Sequence, residues 1–195
     1  NVVSGLNLDL SSDCKSEGGV SYVPEKGVTV YIADSLVYVD SIAGNDNNSG
    51  TSQNPKKTLQ ASIASILSLC SGTVACVIAM KGGTYSISAP ILISSNVSLF
   101  GGFDPSDWTK RRADKTSLPP YDTIITDTST NVTGTGPDPY SSVKFFNHAG
   151  TKEKSILDGI IVNGPVSANA GSYVSPIGVV NLQSGSGVTI RNTVT

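Results

Sequence analysis

The chain has 195 residues, 14% of them charged, with a formal net charge of −2. That length suffices for one domain with a core of its own, and so sparse a charge gives no electrostatic basis for binding nucleic acid. The longest apolar run, residues 74–80, is far shorter than the ~20 residues that cross a membrane as a helix. Abundant Gly, Ser, Thr and Asn, with many Val and Ile and few aromatics, favour a β-rich chain with many turns. The basic clusters Lys56-Lys57 and Lys110-Arg111-Arg112 have no basic face around them and read as solvated loop charges.

Residues 1–36 read as an N-terminal extension with the first strands. They contain no basic segment followed by an apolar one, so any export signal is expected to be already removed. Cys14 lacks the apolar stretch that lipidation needs. Strand-like runs occupy 28–32 and 36–39, and a loop rich in Asn, Asp, Gly and Ser follows. Asp40 and Asp46 could offer oxygens to a calcium ion there. Against an EF-hand template starting at Asn45, Gly50 fits the turn position, but Lys56 stands where the closing Glu belongs and would repel the ion. The other reading is that these side chains supply turns and bond nearby backbone before a helix.

In residues 55–70, Leu59, Ile63, Ile66, Leu67 and Cys70 fall on one helical face. Asn54-Pro55 suits a helix entry and Ser71-Gly72 an exit. The short segment CSGTVAC predicts a Cys70–Cys76 disulfide, and with it an oxidising compartment; two buried free thiols are the alternative. Its spacing does not suit zinc. Beyond Cys76 come only strand-like runs and turns: 77–80, 91–93, 97–100, 123–126, 143–146, 155–162, 178–182 and 187–191.

A strand–turn–strand unit recurs near the end. Phe146 matches Val180 and Leu157 matches Ile190, so Asp158 falls on Arg191. Short recurring strands predict a stacked solenoid over 37–195. The amphipathic helix would lid its N-terminal end, where apolar interior and unpaired strand edges would otherwise meet water. The chain ends at Asn192-Thr193-Val194-Thr195 in a strand-like unit. The expectation is that the protein continues past it, or that this open end docks onto another subunit.

The stretches 38–63 (YVDSIAGNDNNSGTSQNPKKTLQASI), 78–103 (with GGTY and GGF), 107–112 (DWTKRR) and 123–126 (TIIT) resemble the opening of right-handed parallel β-helix proteins of the pectate-lyase-like superfamily. The pattern is closest to bacterial surface proteins and lipoproteins of that kind. The resemblance implies an all-β parallel β-helix with an N-terminal capping α-helix, and it says little about activity, because that fold hosts lyases, hydrolases, adhesins and scaffolds.

Candidate chemistry is sparse. Residues 81–85 (KGGTY) lack phosphate-loop spacing, and the resemblance makes them a turn into a strand. Trp108 could form a sugar platform, though with Phe103 it is expected to pack on a flank. His148 is the single histidine and reads as a loop residue. A glycosidase needs two carboxylates across a cleft. Asp104, Asp107, Asp122, Asp127, Asp138 and Asp158 are available; Asp158 would face an outward groove, but its counterpart one unit later is Arg191. No catalytic residue and no cofactor are assigned. The expected function is a non-catalytic exported scaffold: a surface protein or adhesin, or a subunit of an extracytoplasmic assembly. Its partner would be a protein, another copy or a surface glycan. The alternative is a carbohydrate-active enzyme or carbohydrate-binding module, which converging carboxylates with a basic residue would favour. A groove lined by Ser, Thr and Asn would favour the scaffold.

Overall fold

The computed structural model describes residues 15–17, 20–22, 35–70, 76–94, 96–112, 119–129, 141–146, 155–164, 177–181 and 189–191. The expectations placed on Cys14, residues 28–32, Ser71-Gly72, Asp138, His148 and the C-terminal four residues lie outside them.

A two-stranded antiparallel ribbon is formed by β1 (Lys15–Glu17) and β2 (Val20–Tyr22). The remaining strands pair in parallel. β3 (Ser35–Val39), β4 (Cys76–Lys81), β7 (Val97–Phe103), β10 (Ile156–Asp158) and β13 (Thr189–Arg191) form a five-stranded sheet in that spatial order. β5 (Gly83–Ile87), β8 (Thr123–Asp127) and β11 (Ile161–Asn163) form a second sheet, and β6 (Ile91–Ser94), β9 (Ser141–Phe146) and β12 (Ile177–Asn181) a third. The one α-helix among the described residues, α1 (Leu59–Leu69), packs on β3, β4 and β5.

This corrects the expectation of an all-β right-handed parallel β-helix capped by the helix. The strands are mostly parallel, but they fall into several small sheets beside a helix, and no closed solenoid forms among the described residues. Alternation of apolar residues dictates which side of a strand is buried. It carries no information on whether successive strands close into a continuous coil.

The core lies between the three parallel sheets. Val37, Val39, Ile78, Met80, Tyr85, Ile87, Ile93, Leu99, Ile125, Phe145, Leu157 and Val162 form one buried cluster, and Leu59 and Ile66 of α1 join it. The helical stripe differs from expectation at one position: Leu67 is 45% exposed, while Ile63 and Cys70 are partly buried against the core. The buried face runs through Leu59, Ser62 and Ile66. Ser62 tolerates burial because its hydroxyl donates to the Thr58 carbonyl at 2.7 Å.

Two glycine features shape the sheets. In the first, β4 and β7 shift register after Ala79↔Phe100, so that Lys81 pairs with Phe103. The extra residue sits at Gly101-Gly102, where Gly102 has φ +82°. In a regular strand Phe100 and Phe103 would face opposite sides; the bulge brings both into one cluster. A Cβ on Gly101 would strike the Gly159 carbonyl and the Thr123 and Ile160 side chains. In the second, the run 155–162 is not one strand. It breaks at Gly159, φ +69°, and its halves enter different sheets as β10 and β11.

The repeat unit is realised with one adjustment. Leu157 pairs with Ile190 and Asp158 with Arg191, as the sequence register implies. Val180, however, pairs with Lys144 rather than Phe146. A slip of two residues keeps the same side of the strand facing in.

Candidate functional site

Parallel register builds the first charged site. Val39 and Met80 are Cα partners, so the next residues, Asp40 and Lys81, emerge side by side at the ends of β3 and β4. Lys81 Nζ lies 3.0 Å from Asp40 Oδ2, with the side chains only 11% and 7% exposed. The ammonium also sits 4.7 Å from the centre of the Trp108 ring. Asp40 Oδ1 accepts from the backbone N–H groups of Ile42 and Ala43, each at 2.9 Å. Burial pushes the Asp40 carboxyl up, but the two amides and Lys81 outweigh it and hold the group below its ordinary value.

Trp108 is no open platform. Its ring meets Tyr38 edge-on at 4.8 Å and Phe103 at 5.7 Å, and its indole N–H donates to the Ser52 carbonyl at 3.1 Å. Together with Val77, Ala79, Phe100 and Ile156 these residues make a second apolar cluster, on the opposite face of the five-stranded sheet from the main core. Burial there raises the Tyr38 phenol to about 12.

The second charged site closes the other end of that face. Arg111 Nη2 lies 3.2 Å from Asp158 Oδ2, and the side chains are 8% and 4% exposed. The guanidinium also donates to the Gly101 and Asp158 carbonyls, at 2.7 and 3.1 Å. Asp158 does leave the main core, as its alternation requires, but it enters a buried ion pair instead of a solvent groove. Arg111 is correspondingly not a solvated loop charge; an antiparallel bridge to Phe103 draws it in. Its neighbours Lys110 and Arg112 are exposed.

Asp46 answers the question raised by the polar loop. Its Oδ1 accepts from the backbone N–H groups of Lys57 and Thr58, at 2.9 and 2.8 Å, and its Oδ2 accepts from the Thr58 hydroxyl at 2.9 Å. Thr58 is the N-cap of α1 and accepts from Ala61 N–H. Although burial opposes it, the hydrogen bonds from Thr58 and Lys57 lower the Asp46 carboxyl below its ordinary value. Asp40 and Asp46 thus serve different partners, and the structure does not bring them together as a ligand pair. Among the described residues no three His, Cys, Asp or Glu side chains converge on a metal position.

Beside the start of α1 is an open cleft of about 220 Å³, lined by Ser41, Lys57, Thr58, Leu59, Thr84, Tyr85 and Ser86. Among the described residues its surface is hydroxyl-rich, with one ammonium and no carboxylate. Tyr85 is 3% exposed; its hydroxyl lies 3.0 Å from both the Val39 and Lys81 carbonyls, and burial raises its pKa well above the ordinary phenol value. The cleft continues onto the outward face of the second sheet. There Thr84, Ile124 and Ile161 align in one row, and Ser86, Thr126 and Asn163 in the next.

The pairs Asp40–Lys81 and Asp158–Arg111 were not foreseen from the sequence. Their members are 41 and 47 positions apart. Only strand register could have joined the first pair. Scans against protein-family profiles, curated proteins and solved structures return no match. The resemblance drawn from residues 37–126 therefore rests on their motifs alone.

Proposed function

We propose that this chain is an exported, non-catalytic structural module, acting as a surface protein or as a subunit of an extracytoplasmic assembly. One observation carries the reading. Among the described residues, the outward face of β5, β8 and β11, and the cleft that opens onto it, are lined by Thr84, Ser86, Ile124, Thr126, Ile161 and Asn163 without a carboxylate. Glycoside hydrolysis requires two carboxyl groups across a cleft, one of them free to shuttle a proton. Of the buried carboxylates, Asp40 and Asp158 are held in ion pairs, and Asp127 accepts from the Ser129 backbone N–H. The Cys70–Cys76 bond supports passage through an oxidising compartment. The partner is a protein, a second copy or a surface glycan meeting this hydroxyl-lined face.

The test is incubation of the purified chain with a panel of acidic and neutral polysaccharides, following new reducing ends and the ultraviolet absorbance of unsaturated uronates. No turnover is expected. Turnover that disappears in Asp158→Asn would overturn the proposal and favour a carbohydrate-active enzyme.

A further inference from the structure

The sequence holds three Asn-x-Ser/Thr triplets: Asn47-Asn48-Ser49, Asn96-Val97-Ser98 and Asn131-Val132-Thr133. The third lies outside the described residues. The structure treats the other two in opposite ways.

Asn96 is 7% exposed, with φ +68°, at the entry to β7. Ser98 is fully buried, and its hydroxyl accepts from Ile156 N–H at 3.1 Å. A transferase has no approach to that triplet in the folded chain. Asn47 and Ser49, in contrast, are both exposed. Among the described residues neither the Asn47 carboxamide nor the Ser49 hydroxyl makes a hydrogen bond. The loop that carries them is fixed by other groups. Asn45 Oδ1 accepts from Asn47 N–H at 3.0 Å, Asn48 Nδ2 donates to the Pro55 carbonyl at 2.9 Å, and Asp46 is tied to the start of α1.

We propose that Asn47 is a glycan attachment site, with a glycosyl diphosphate as donor. In the transfer, Asn47 Nδ2 bonds to the anomeric carbon and the bond from that carbon to the diphosphate oxygen breaks. The diphosphate leaves with the bonding electron pair, and Nδ2 gives up one proton. The Ser49 hydroxyl completes the recognition triplet. A nucleotide-linked or a lipid-linked sugar would supply the same electrophile. The proposal rests on the reading of the chain as exported where the donor is lipid-linked.

Two arms distinguish the donors. In one, the purified folded chain is incubated with UDP-glucose and a soluble transferase specific for Asn-x-Ser/Thr. In the other, the chain with an added export leader is produced in a host that transfers glycans from lipid diphosphate. Intact mass and peptide mapping should find the sugar on Asn47 in at least one arm. It should vanish in Asn47→Gln and in Ser49→Ala, persist in Asn96→Gln, and never occur on Asn96. The proposal is overturned if Asn47 stays unmodified in both arms while Cys70–Cys76 is formed, or if Asn96 of the folded chain is modified. Failure of the export reading is seen separately, as free Cys70 and Cys76 thiols in chain taken from its natural source.

Discussion

At Lys81 a single side chain answers to three constraints: it ends a strand, it pairs with Asp40, and its ammonium lies over Trp108. Removing one partner of a buried pair leaves the other desolvated and uncompensated, at a cost of roughly 3–5 kcal/mol. Asp40→Ala should therefore lower the stability by about 3 kcal/mol in urea unfolding, and Lys81→Met, which removes the charge but keeps the stem, by less in the Asp40→Ala background than alone. Asp40 also sets an acid limit. Its folded pKa lies below the ordinary carboxylate value because the Ala43 and Ile42 amides and Lys81 outweigh burial. A depressed folded value gives stability that is complete above the unfolded value and is lost as pH falls through the folded one. Stability should hold from neutral pH down to about 5 and fall below about 4, with a shallower fall in Asp40→Ala. A midpoint that rises on acidification would contradict this. The sequence marked Asp40 as chemically notable, yet it could not say whether its oxygens face an ion or a lysine, since that depends on a strand 41 positions away.

At the scale of elements, α1 was legible from its apolar spacing, and the loop before it from its turn residues. What escaped was the device joining them. Asp46 crosses 12 positions to bind the N-cap Thr58, so that a loop carboxylate and a threonine satisfy the helix start together. Loss of an N-cap costs about 1 kcal/mol. Asp46→Ala should cost a similar amount, visible as a lower thermal midpoint and faster amide exchange at Lys57 and Thr58. Unchanged exchange there would show that the carboxylate does not hold the helix start. Leu67 was placed on the buried stripe because periodicity shows how wide an apolar stripe is, and not how much of it the sheet covers. The division of 155–162 into two strands had a signal in the sequence, the turn dipeptide Asp158-Gly159 between two apolar runs, and Gly159 takes a left-handed backbone there.

Among the described residues, three parallel sheets share one core, and a second apolar cluster lies on the outer face of the largest sheet, closed by Trp108 and Arg111. The disulfide predicted from the sequence ties the end of α1 to the start of β4, with Cα atoms 6.2 Å apart across a separation of 6 residues. Closing so short a loop is worth ~2 kcal/mol, so reduction should lower the unfolding midpoint without abolishing the fold; no change on reduction would place the bond outside the folding unit. Which strand faces are buried could be read from alternation, but the division of the strands among separate sheets could not, because the same pattern serves open and closed arrangements alike. The buried ion pairs of Asp40 with Lys81 and of Asp158 with Arg111 hold the sheets together. A double-mutant cycle on Arg111 and Asp158 by equilibrium denaturation measures this. We expect Arg111→Ala and Asp158→Ala each to cost about 3 kcal/mol, and the double variant to cost less than their sum by at least about 1 kcal/mol. Single variants within about 0.5 kcal/mol of the parent, or strictly additive losses, would contradict it.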